Sequence, residues 1–124
     1  METQIFNNQK IVVKEWYLAG KVSDFFENEG VAIKYKNIQI AIFYLAEKDE
    51  WYATQNLCPH KLEMALSRGL IGDFKGEPKV SCPFHKKSFS LKTGKCLSGD
   101  DYIIDIFPVK VKDGSVYVGI PEPL

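Results

Sequence analysis

No block of five like charges occurs in the sequence, and Lys plus Arg equals Asp plus Glu at 16 each over 124 residues. That balance leaves no electrostatic footprint for nucleic acid and points instead to a protein or small-molecule partner. Long apolar runs are missing too. The most apolar stretch, Ile40 to Ala46, is far too short to cross a bilayer and reads as a buried strand, so no membrane span is expected. The opening Met1-Glu2-Thr3-Gln4-Ile5 lacks the basic start and apolar run of a secretory signal, which makes the cytoplasm the expected address. Gly-rich dinucleotide fingerprints, Walker motifs and nucleophile–base pairings are absent as well. The chain is therefore expected neither to hold a nucleotide nor to carry catalytic residues of its own. Histidine is scarce, with two residues, and the three cysteines form an odd set. In a reducing compartment such cysteines are metal ligands or buried thiols more often than disulfides.

What is present fits one domain over residues 1–124, with 45% hydrophobic and 26% charged residues. Residues 1–10 show little periodicity and read as a frayed lead-in. From Ile11 onward, short apolar runs recur between turn signals: Trp16 to Ala19, Val31 to Tyr35, Ile38 to Leu45 and Trp51 to Thr54. Val31, Ile33 and Tyr35 share one strand face, and Lys36-Asn37 reverses the chain into Ile38, Ile40 and Ile42. A second hairpin is signalled by Asp113-Gly114 between Val109–Lys112 and Ser115–Val118, because Asp-Gly tolerates positive φ. Only Val22 to Glu29 looks helical, with Ser23 as a possible N-cap and Gly30 as a stop. The expected class is all-β, an antiparallel sandwich or barrel. Between about residues 56 and 99 the strand rhythm breaks into proline- and glycine-containing loops, which read as a loop-built subdomain.

That subdomain holds both histidines and two of the three cysteines, in Cys58-Pro59-His60 and Cys82-Pro83-Phe84-His85. Each motif pairs a thiol with an imidazole, and each cysteine is followed by a proline that stiffens the loop. Two thiolates and two neutral imidazoles suit zinc or iron–sulfur rather than magnesium or calcium. Structural zinc sites usually draw on C-x₂₋₄-C and H-x₃₋₅-H pairs, whereas here each short segment mixes one Cys with one His. In Rieske centres two cysteines hold one iron and two histidines the other, so mixed loops reach both irons.

From about Ile11 to Val118 the sequence resembles the Rieske family, and within it the small subunits of NAD(P)H-dependent nitrite reductases. The resemblance is densest in Asn56 to His60, in Leu66-Ser67-Arg68-Gly69-Leu70-Ile71-Gly72, in Ser81 to Leu91 and in Thr93 to Leu97. It implies a Rieske-type [2Fe–2S] cluster with Cys58 and Cys82 on the inner iron and His60 and His85 on the outer one, the histidine side serving as electron port. It further implies a large partner subunit carrying flavin, an iron–sulfur cluster and siroheme, with nitrite reduced to ammonium in nitrate assimilation. Twenty-one residues separate His60 from Cys82, more than in generic Rieske ferredoxins, and Lys86 stands where many family members have glycine. Both departures suit the nitrite reductase branch. Respiratory Rieske proteins carry an extra cysteine in each cluster loop, but Phe84 occupies that position here and residues 61–66 contain none. A low-potential, ferredoxin-like cluster is the expectation.

Blander readings stand beside these. A free-standing Rieske ferredoxin serving an oxygenase would need the same four ligands, and a zinc-stapled interaction module the same loops. Cys96 lies beyond the second loop without a partner at metal spacing and reads as packing. Arg68, Lys86 and Lys87 could orient a partner, although loop lysines are usually just solvated. Trp16, Trp51 and Phe89 read as core rather than as an electron path.

Overall fold

The computed structural model describes residues 2–6, 9–59, 63–84 and 86–121. Strands β1 (Glu2–Phe6), β2 (Gln9–Lys21), β12 (Val109–Lys112) and β13 (Ser115–Pro121) form one sheet in the order β1-β2-β13-β12. A second sheet takes β3 (Gly30–Tyr35), β4 (Ile38–Leu45), β5 (Glu50–Gln55) and β11 (Ile106–Phe107) in the order β11-β5-β4-β3. Every pairing is antiparallel. Both expected hairpins are in register: Tyr35 opposes Ile38 across Lys36-Asn37, and Lys112 opposes Ser115 across Asp113-Gly114. Asp113 and Gly114 take φ of 52° and 77°, the conformation for which Asp-Gly is suited.

Strand β4 explains how one apolar run organises the whole chain. Side chains alternate across a strand, so a run without polar interruptions must be covered on both faces. Ile40 and Ile42 point into the core between the two sheets, with Ala53, Phe107, Val116, Val118 and Ile120. Ala41, Phe43 and Leu45 point the other way, into a second core with Leu66, Val80, Phe89, Leu91 and Ile104. The second core joins the sandwich to the segments that carry Cys58, Leu66, Val80, Phe89, Leu91 and Ile104.

Three expectations are corrected. The lead-in at residues 1–10 is not frayed throughout, since Glu2–Phe6 pairs with Gln9–Val13 as β1 against β2. The helix expected over Val22–Glu29 shrinks to one 3₁₀ turn, Val22–Asp24, with Lys21 rather than Ser23 at its N-cap. Two turns of helix cannot close alone, and Glu27 instead makes a parallel bridge to Tyr44. The segment from 56 to 99 is not all loop: it contains a small sheet of β8 (Leu70–Phe74), β9 (Glu77–Ser81) and β10 (Ser88–Ser90), besides the two-residue pair β6 (Leu57–Cys58) and β7 (Glu63–Met64). Among the described residues no helix is long and apolar enough to cross a membrane.

Tyr52 on β5 packs half-buried against the second core and donates its hydroxyl to Glu50 Oε1 at 2.8 Å. Burial first, and the Glu50 contact second, raise its phenol well above the usual range. The folded chain therefore holds this proton after the unfolded chain has released it. Its contribution to stability is intact below the ordinary phenol value of about 10 and is lost as pH rises above it. Unfolding midpoints followed through the alkaline range should fall less steeply in Tyr52→Phe than in the wild type.

Candidate metal centre

Cys58 and Cys82 enter one core from different sheets. Cys58 ends β6, opposite Glu63 on β7, and Cys82 immediately follows β9. Both belong to the second core, at 0% and 1% exposure, and neither is in a disulfide. The two histidines expected beside them, His60 and His85, lie outside the described residues, as do Lys61 and Leu62. Among the described residues no group of three His, Cys, Asp or Glu side chains gathers at one point.

Each cysteine loop is closed by its own hydrogen bonds. In the second, the Cys82 N–H donates to Lys87 O and the Lys86 N–H to Cys82 O, both at 2.8 Å. The strands below are held by Ser81 and Ser88, which oppose each other and share a hydroxyl contact of 2.7 Å. Ser88 is also gripped from the far side: its N–H donates to Ser98 Oγ at 2.9 Å and its C=O accepts from the Leu97 N–H at 2.7 Å. In the first loop the corresponding work falls to Asn56, 1% exposed, whose C=O accepts from the N–H groups of Ala65 and Leu66. Asn56, Ser81 and Ser88 fall in stretches of dense resemblance, but the sequence assigns them no role. Their signal was weak, since polar residues in a turn-rich segment look solvated until their burial is known.

Lys86 has φ of 56°, a left-handed conformation that a side chain makes costly. This accounts physically for glycine being common at that position in the family the sequence resembles. Lys86 is exposed, so removing its side chain opens no cavity. Lys86→Gly should stabilise the chain by about 0.5–1 kcal/mol in denaturant unfolding.

The remaining sequence candidates separate. Cys96 packs half-buried against the second core, bridges to Phe89 and donates its N–H to Tyr102 O at 3.0 Å. Phe89 is fully buried. Trp51 stacks on Tyr44, with centroids 4.4 Å apart, and meets Phe25 edge-on, while Trp16 lies under the Lys110 ammonium. The Lys87 ammonium pairs with Asp100 at 2.6 Å, which raises its pKa. Arg68 is exposed, with its guanidinium 5.6 Å from the centroid of Phe84. Phe84 itself is half exposed beside Cys82.

Two buried thiols in one core, neither cross-linked, and each followed within three residues by a histidine in sequence, form a donor set that fits a soft or borderline metal centre. Buried cysteine also occurs as plain packing, so the donor set alone does not choose the metal.

The profile of the Rieske-like [2Fe-2S] domain family matches residues 15–119. The nitrite reductase (NADH) small subunit of Escherichia coli is 32% identical over 104 residues, covering 84% of this chain and 96% of that one. The NMR structure of the E. coli protein NirD superposes with a TM-score of 0.76 at 32% identity, covering 84% and 94% of the two chains. Nitrite reductase [NAD(P)H] of Emericella nidulans is 41% identical over 109 residues, 80% of this chain, which spans only 10% of that protein's length. The ferredoxin subunit of a 3-phenylpropionate/cinnamic acid dioxygenase from Shigella flexneri is 35% identical over 82% of this chain and 90% of its own.

Proposed function

The chain belongs to the Rieske-like [2Fe-2S] domain family, and from that premise we infer that it is an electron-transfer protein whose cluster is held by Cys58, His60, Cys82 and His85. The observation that carries this reading is the burial of Cys58 and Cys82 in one core. When bound, the cluster would supply one-electron chemistry tuned by ligation, hydrogen bonds and burial. The chain's own residues supply the rest. The end of β6 and the start of the β9–β10 connection present the thiols, Asn56 and the Ser81–Ser88 pair brace the chain on either side of them, and the apolar side chains of Phe43, Leu66 and Phe89 keep water from the cysteine side. The cluster-binding part spans about residues 56–99 of a single domain.

The system served is nitrite reduction with NAD(P)H, in the cytoplasm, with this chain as small subunit beside a large catalytic one. Near end-to-end coverage of the E. coli small subunit supports that assignment. A ferredoxin role toward an oxygenase is the second reading, supported by the likeness to the dioxygenase ferredoxin subunit. Freshly purified protein should be coloured and, once reduced with dithionite, give a Rieske-type EPR signal. Colourless protein with stoichiometric zinc would overturn the cluster. Co-purification with a siroheme-containing subunit decides for the first role, and electron delivery to an oxygenase alone decides for the second.

A further inference from the structure

Asn56 lies between β5 and β6, two residues before Cys58, and both ends of its carboxamide are engaged. Oδ1 accepts from the Ser67 N–H at 2.7 Å, and Nδ2 donates to Gln39 Oε1 on β4 at 2.9 Å. Its main chain adds an N–H to Gln39 O at 3.0 Å and accepts at its C=O from the N–H groups of Ala65 at 3.0 Å and Leu66 at 3.1 Å. The chain leaves Asn56, runs past Cys58 and His60, and returns to the same residue at Ala65–Ser67. One buried side chain thus fastens both ends of the first cysteine loop to the sandwich. Gln55 lays a second strap across the start of the loop, donating from Nε2 to Leu57 O at 2.7 Å and accepting at Oε1 from the Asp105 N–H at 2.8 Å.

An apolar residue of similar size would fill the space at position 56 but would leave the Ser67 N–H without its acceptor. We propose that Asn56 is a positioning residue for the cluster, holding the Cys58–His60 loop closed so that the cluster is retained, and that folding of the sandwich does not depend on it. This rests on the ligand assignment above. A purely structural role would make Asn56 equivalent to Thr54, two residues earlier, which is equally buried but whose hydroxyl donates to Gln55 O and whose side chain makes no hydrogen bond to the described residues of the loop.

The test compares the cluster-loaded wild type with Asn56→Ala, Asn56→Asp and Thr54→Ala. Readouts are the rate at which an iron chelator bleaches the visible bands, the EPR line shape, the unfolding midpoint, and amide exchange at Ser67 in the cluster-free chain. Asn56→Ala should bleach about tenfold faster, with a changed EPR line shape and about tenfold faster exchange at Ser67. Asn56→Asp should recover most of this, because a carboxylate accepts the Ser67 N–H and the Gln39 carboxamide can rotate to donate to it. Thr54→Ala should stay within about twofold of the wild type. The proposal is overturned if Asn56→Ala bleaches at the wild-type rate, if Thr54→Ala bleaches as fast as Asn56→Ala, or if Asn56→Ala loses its cooperative unfolding transition. A wild type without Rieske-type absorption removes the ligand assignment itself, an outcome separate from those three.

Discussion

Cys82→Ser is expected to give a folded, colourless chain, and Cys96→Ser a coloured one whose absorption and EPR spectra match the wild type. The contrast is informative because the two cysteines look alike by composition and sit only fourteen residues apart. Cys82 is 1% exposed, shares the second core with Cys58, and has its main chain tied into a tight loop by Lys86 and Lys87. Cys96 touches that core from its edge and is held through its backbone to Phe89 and Tyr102. A serine hydroxyl in place of a ligating thiolate removes a soft donor, so the loss at position 82 should be complete. At position 96 the change replaces one small side chain by another, with a cost of about 1 kcal/mol or less in unfolding. Quantifying iron and sulfide per chain alongside the spectra makes the comparison absolute. Loss of colour in both variants would mean that Cys96 is a ligand, and retention in both would remove Cys82 from the set.

Much of the candidate site was legible because soft and borderline donors at short spacing stand out in a sequence. Two histidines and two cysteines confined to two short proline-containing motifs could be read without knowing any contact, and so could the Asp113-Gly114 hairpin, where the turn chemistry is local. The structure buries both cysteines in one core; His60 and His85 stay outside the described residues. What could not be read was of two kinds. Short segments were overruled by neighbours: Val22–Glu29 has helical spacing, but a bridge from Glu27 to Tyr44 competes with a helix too short to sustain itself. Glu2–Phe6 has no periodicity of its own and is a strand because β2 offers it an edge. Polar residues whose task depends on burial were the other kind. Asn56, Ser81 and Ser88 become informative only once their partners, up to 17 residues away or across a hairpin, are known. Long-range hydrogen bonding of this sort carries no spacing rule.

The largest stability effect is expected at Gly94, and two other glycines separate its causes. Gly94 has φ of +80°, and a Cβ there would lie 2.1 Å from Ile104 O. The oxygen cannot step aside cheaply, because the neighbouring Ile104 N–H donates to Gly94 O at 2.8 Å and the Gly94 N–H donates to Ser90 O at 2.9 Å. Movement at Ile104 would also disturb the second core, of which it is a buried member. Gly76, in the turn between β8 and β9, has a similar φ of +87° but open space around the Cβ position. Gly69 has no positive φ, yet a Cβ would stand 2.4 Å from Ser81 O, the carbonyl just before Cys82. Gly76→Ala therefore isolates the backbone conformation and should cost about 1 kcal/mol. Gly69→Ala isolates the collision and should cost about 1–3 kcal/mol, with faster cluster loss because the displaced carbonyl adjoins a proposed ligand. Gly94→Ala combines both and should cost about 3–5 kcal/mol, a fall of about 10 °C or more in the unfolding midpoint. Thermal unfolding of the three variants side by side checks the order. If Gly94→Ala unfolds no earlier than Gly76→Ala, the turn from Leu91 to Lys95 yields freely and the close packing of Ile104 over Gly94 does not constrain it.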